Sequence, residues 1–60
     1  IKLSQFMKFA GIVNTGGEAK ILLSEADITV NGEAENRPGR KLYPNDVVII
    51  DGRKYVIEWL

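Results

Sequence analysis

Cysteine and histidine are both absent from the 60 residues of this chain. Without cysteine there is no disulfide and no thiolate metal site to brace so short a polypeptide. Without histidine the commonest general base, the commonest zinc ligand and the Ser-His-Asp arrangement are all missing. Neither sign of charge is in excess, since eight Lys and Arg balance eight Asp and Glu. That balance counts against a strongly basic nucleic-acid binder, so only the distribution of charge can support one. No apolar run approaches the roughly 18 residues of a membrane span, and Lys2 and Lys8 interrupt the opening stretch, so neither a span nor a signal peptide is visible. A soluble, cytoplasmic protein is expected. The chain opens on Ile1 rather than Met, the start expected of a trimmed chain. An apolar content of 45% with 27% charged residues is that of a globular protein. One domain spanning residues 1–60 is expected, near the lower limit at which a chain folds alone, where roughly 60% of the unfolded surface is buried.

The opening segment is patterned as a helix. Leu3, Phe6, Met7 and Ala10 fall at i, i+3, i+4 and i+7, one apolar stripe. Ser4 is the candidate start cap and Gly11 the candidate stop. Lys2 sits just before this helix and Lys8 lies off its apolar stripe, so both are expected in solvent. The link Ile12-Val13-Asn14 is short enough to make the next helix a packed neighbour. There Ala19, Leu22, Leu23 and Ala26 repeat the same spacing.

From Ile28 the period changes to alternation, with Ile28 and Val30 on one face and Thr29 on the other. Asn31-Gly32 is a strong two-residue hairpin signal. Asp51-Gly52 repeats it between Val47–Ile50 and a strand read as Tyr55–Trp59. A two-residue turn pairs Val48 with Tyr55 and collects Val48, Ile50, Tyr55, Ile57 and Trp59 on a face that should cover the helices. Val47, Ile49, Lys54, Val56 and Glu58 form the more mixed opposite face. Between the hairpins, residues 35–46 hold both prolines and read as an irregular crossing. Arg37, Arg40 and Lys41 fall there within five positions free of acid. A basic loop of this kind is solvated surface or, if rigid, a way of holding phosphates with two guanidinium groups. Tyr43 is placed to stack on a base or to close the edge of the core.

The second helix begins at Asn14-Thr15-Gly16-Gly17-Glu18-Ala19-Lys20. Thr15 and Glu18 form the T-x-x-E pattern of a capping box. Gly16 and Gly17 let a ligand approach first-turn amides that have no intrahelical partner and sit at the positive end of the helix dipole. That is the makeup of an anion site. Glu18 argues against it unless its carboxylate folds back on the backbone and leaves the glycine amides free. Lys20 either adds charge to the site or pairs with nearby acids. A Walker loop is excluded, because Gly17 stands where Lys is required and Glu18 where Ser or Thr is required.

In this order the parts resemble the S4 RNA-binding domain, or alpha-L motif. The pieces that carry the resemblance are Ile28-Thr29-Val30-Asn31-Gly32, the basic proline-containing crossing, and Asn45-Asp46-Val47-Val48-Ile49-Ile50. T-G-G-x-A-K, V-N-G-E and R-x-G-R-K-L together are similar to small stand-alone members of the YaaA and YbcJ type. The resemblance covers almost the whole chain. It implies an α+β fold in which two short N-terminal helices pack on a small, mainly antiparallel sheet of two hairpins. It also implies binding of structured RNA, ribosomal RNA above all, with a role in ribosome assembly. Carried over residue by residue, the RNA-binding candidates are Thr15, Gly16, Gly17 and Lys20 on the second helix and Arg37, Arg40 and Lys41 on the crossing, with Lys8 as a weaker addition. Three departures stand out. Gly16 and Gly17 occupy a first turn where many members carry arginine, Pro38 replaces a basic residue frequent in the stand-alone type, and Asn45 replaces the usual glycine before Asp46.

The expected protein is therefore a monomeric, non-catalytic module with no cofactor, no metal, no membrane and no small-molecule substrate. A protein-interaction or assembly domain using the Val47, Ile49 and Val56 face is the reading from another class. An RNA-modifying enzyme fits poorly, since Asp27, Asp46 and Asp51 all fall at expected turns and the chain is too short to enclose a substrate.

Overall fold

The computed structural model describes residues 1–58. Helix α1 (Leu3–Phe9) and helix α2 (Gly16–Glu25) precede four strands, β1 (Ile28–Val30), β2 (Glu33–Ala34), β3 (Val47–Ile50) and β4 (Arg53–Val56). The strands form one sheet in the order β2-β1-β3-β4, antiparallel throughout. The α+β arrangement implied by the resemblance is the one observed.

Both hairpins turn where the asparagine-glycine and aspartate-glycine pairs stand. Asn31 and Gly32 have φ of 52° and 84°, and Asp51 and Gly52 of 48° and 84°, the doubly left-handed geometry of a type I′ turn whose twist matches the flanking strands. The second turn sets Ile50 opposite Arg53 and Val48 opposite Tyr55. The last strand thus begins at Arg53 and ends at Val56, earlier at both ends than the Tyr55–Trp59 expected. A two-residue turn at Asp51-Gly52 brings the chain back into register at once, and polar Arg53 and Lys54 pair as readily as apolar residues through their backbone. Ile57 continues the buried face beyond the strand, and Trp59 lies outside the described residues.

The core lies between the helices and one sheet face. Leu3 and Met7 from α1, Ala19 and Leu23 from α2, and Ile28, Val30, Val48 and Ile50 from the sheet are all buried. Burying each large aliphatic side chain contributes roughly 1.5–3 kcal/mol, which makes these few residues decisive in so short a chain. Phe6 meets Tyr55 edge to face with ring centroids 5.6 Å apart, joining α1 to β4. Ala10 departs from the expected stripe. It is the exposed C-cap of α1, and past it the chain leaves the helix through Gly11, whose φ is +74°. Gly11 N donates to Lys8 O and Ile12 N to Met7 O, the two bonds of a Schellman motif.

Ser4 does not cap α1, whose N-cap is Lys2, two residues earlier. Its first-turn donors are satisfied from elsewhere in the chain. Leu3 N donates to Arg40 O at 2.8 Å and Ser4 N to Pro38 O at 3.0 Å, while Lys2 N donates to Gln5 Oε1 at 2.9 Å. The crossing segment therefore does for α1 what a hydroxyl would otherwise do, and is itself strapped to the helix. Leu42, buried in the core, pins its far end.

Candidate nucleic-acid interface

Glu35 organises the crossing segment. Its carboxylate is buried and accepts hydrogen bonds from Asn36 N, Arg37 N, Arg37 Nε, Arg37 Nη2 and Arg40 Nη1, the last at 2.8 Å. The side-chain bonds from Arg37 and Arg40 hold its pKa down at about 2 against the opposing cost of burial. Just beyond it, Arg40 N donates to Arg37 O at 3.2 Å, closing a turn with Pro38 at its second position. Both guanidinium groups are thus brought to one buried acid, and the three side chains together carry one net positive charge rather than two.

The two arginines differ in what they leave free. The Arg40 side chain is 28% exposed, whereas that of Arg37 is 70% exposed. Arg37 uses Nε and Nη2 on Glu35, so its remaining donors face solvent from a guanidinium already fixed in orientation. Lys41 is exposed and follows the turn.

At the start of α2, Thr15 Oγ1 accepts from Glu18 N at 3.1 Å. The Glu18 carboxylate folds back to Asn14 N at 3.3 Å, one residue before the partner of a standard capping box. It therefore does not cover Gly16 or Gly17, whose N–H groups donate no hydrogen bond among the described residues. A Cβ at Gly16 would meet nothing within 4 Å, so the approach to these amides is open. Lys20 is exposed and forms no ion pair among the described residues. Lys8 lies in the last turn of α1, where a cation complements the helix dipole, and borders a shallow groove with Gln5 and Phe9.

Among the described residues the two elements are not joined directly. Glu35 borders Leu23 and Ala26, at the far end of α2 from Gly16, and at 1.5 Å per residue Gly16 and Leu23 are roughly 10 Å apart along the helix. No hydrogen bond or ion pair among the described residues links the start of α2 to the crossing segment. The start of α2 offers backbone amides with Lys20 close by in the chain, and the crossing segment offers a guanidinium group, with no direct bond between the two among the described residues. Glu35 was the residue missed in the sequence. Its one local signal is its place two positions before Arg37; a glutamate is rarely buried unless paired, and here the pairing accompanies the burial.

Two aspartates are committed to turns. Asp46 accepts from Tyr43 N at 2.9 Å and from Asn31 Nδ2 at 3.1 Å, and these bonds lower its pKa. Asp51 Oδ1 accepts from Asp27 N at 3.1 Å. Asn45, at φ 75°, is left-handed at the third position of the Tyr43–Asp46 turn, a place that Asn fills with little strain. Among the described residues there is no helix long and apolar enough to cross a membrane.

Comparison with known proteins gives two findings. The S4 domain family is matched over residues 1–58. A relative from Bacillus subtilis (strain 168), named probable ribosome maturation protein RlbA, is 54% identical over 52 residues, covering 87% of this chain and 73% of the relative. No solved structure matches the chain.

Proposed function

The chain belongs to the S4 domain family, and on that premise we propose that it is a non-catalytic module that binds structured RNA, ribosomal RNA in particular, during ribosome assembly in the cytoplasm. The name of the Bacillus subtilis relative, a probable ribosome maturation protein, supports the ribosomal setting. The observation that carries the reading is the exposed Arg37 guanidinium held in a fixed orientation by buried Glu35. Arg37 and Lys41 neutralise phosphates on one side, the Gly16 and Gly17 amides with Lys20 receive another, and Arg40 acts by positioning. Binding of this kind follows the geometry of the backbone and gains free energy from counterion release. Thr15 serves the amide site by capping α2, and Lys8 extends the cationic surface along α1.

The test replaces Arg37 and Lys20 by glutamine and measures binding of purified ribosomal RNA across a salt series. The slope of log K against log salt is expected to flatten by about 0.7–0.9 per lost contact. Unchanged affinity and slope would sink the assignment. One observation favours a second reading as a protein-interaction domain: Phe9 is 82% exposed and Val56 is 50% exposed. In an NMR titration, shifts at these residues with a protein partner, and none anywhere with RNA, would select it.

A further inference from the structure

Lys2 and Lys41 form an isolated antiparallel bridge. The backbone bonds that frame it, Leu3 N to Arg40 O at 2.8 Å and Leu42 N to Ile1 O at 2.7 Å, flank the two lysines rather than join them. They are therefore a non-hydrogen-bonded pair, the type in which Cα atoms approach to about 4.5 Å and the side chains leave on the same face. Two like charges directly opposite destabilise such a pair. Neither lysine has an ion pair among the described residues, since Glu35 takes Arg37 and Arg40. The fold thus sets two lysines opposite each other with no ion-pair partner among the described residues.

An aromatic ring stands beside them. Along the extended stretch Lys41-Leu42-Tyr43 the side chains alternate, so that Leu42 enters the core while Lys41 and Tyr43 are both exposed. Tyr43 is 60% exposed. Its backbone is fixed on both sides, Tyr43 N donating to Asp46 Oδ2 at 2.9 Å and Tyr43 O accepting from Asp46 N at 3.1 Å. The two lysines and Tyr43 line a groove of about 310 Å³ with Ile1, Gln5 and Leu42. Asp46, which holds the Tyr43 backbone, is itself engaged by Tyr43 N and Asn31 Nδ2.

We propose that this groove is a nucleotide subsite, in which Lys2 and Lys41 share one RNA phosphate and the Tyr43 ring stacks on the unpaired base attached to it. The subsite rests on the RNA-binding reading and adds a requirement to it: the RNA recognised carries a bulged or looped nucleotide, because a paired base has no free face for the ring. An acidic peptide would satisfy the lysines but would leave the exposed ring without a partner.

Two synthetic RNA hairpins, identical except that one carries a three-nucleotide bulge, distinguish the possibilities. Tyr43→Ala is expected to weaken binding of the bulged hairpin about fivefold or more and to leave the fully paired one unchanged, while Tyr43→Phe binds like the parent. Lys2→Gln with Lys41→Gln is expected to flatten the salt dependence on the bulged hairpin by about 0.7–0.9, one shared phosphate. All three side chains are exposed, and the melting temperature of the double variant is expected not to fall, since a like-charge pair is removed. If Tyr43→Ala affects both hairpins equally or neither, the subsite is overturned while RNA binding stands. If the parent protein binds neither hairpin nor ribosomal RNA, but a polyglutamate peptide shifts Lys2 and Lys41, the RNA reading falls with it and a protein partner replaces both.

Discussion

Asn31 and Asp46, 15 residues apart in the chain, are joined by a hydrogen bond of 3.1 Å from Nδ2 to Oδ1. The same asparagine accepts from Val47 N through Oδ1 at 2.9 Å and donates its own N–H to Val47 O at 2.7 Å. The left-handed turn residue of the first hairpin is thereby also the clamp that starts β3. Asp46 in turn holds Tyr43. One residue chosen for its φ has a second use through its amide.

Separating these two uses is direct. Asn31→Gly keeps the left-handed backbone and loses both side-chain bonds, so urea unfolding is expected to show a loss of about 1–2 kcal/mol. Asn31→Ala loses the bonds and also strains the turn, and is expected to cost about 1–2 kcal/mol more. Equal stability of the two variants would mean that the turn conformation contributes nothing beyond the amide contacts.

Acid sensitivity should trace to Glu35. Its pKa is about 2 in the folded protein against an ordinary 4.5, so its contribution is fully present above pH 4.5 and lost as the pH falls through 2. Asp46 is shifted in the same direction by Tyr43 N and Asn31. Thermal melts between pH 7 and pH 2 are expected to show stability falling below about pH 4.5. Glu35→Gln at pH 7 is expected to cost about 1.5–3 kcal/mol, the value of hydrogen bonds to a charged group. It should also flatten the acid dependence, leaving the smaller part due to Asp46. A variant as acid-sensitive as the parent would remove Glu35 from this role.

Stability and RNA binding should move in opposite directions at Gly17. A Cβ there meets only Thr15 Oγ1, at 3.8 Å, so a side chain is accommodated. Gly17→Asp places a carboxylate in the first turn of α2, expected to raise stability by about 0.3–1 kcal/mol through the helix dipole. The same carboxylate repels phosphate at the amides, and ribosomal RNA affinity is expected to fall about fivefold, roughly 1 kcal/mol. Filter binding and thermal melting on one preparation check both. Unchanged affinity would remove the α2 N-terminus from the interface.

The sequence by itself determined the parts whose causes are local. The stripes of α1 and α2, the Thr15 cap, the Gly11 exit and the two-residue turns at Asn31-Gly32 and Asp51-Gly52 follow from 3.6- and 2-residue periods and from which residues tolerate a left-handed backbone. The sheet register followed in turn, since a two-residue loop leaves Val48 one partner, Tyr55. Tertiary structure decided everything that depended on a remote partner. The donors of Leu3 and Ser4 found carbonyls at Arg40 and Pro38, so Ser4 had no capping to do. Glu35 is close to Arg37 and Arg40 in the chain, but it is the packing of the fold that buries it and so requires both of them as counterions. The like-charged bridge between Lys2 and Lys41 arises only because the crossing segment runs back along the chain's first residues. Local propensity is written in neighbouring residues, whereas the pairing of charges depends on which distant segments the core brings together.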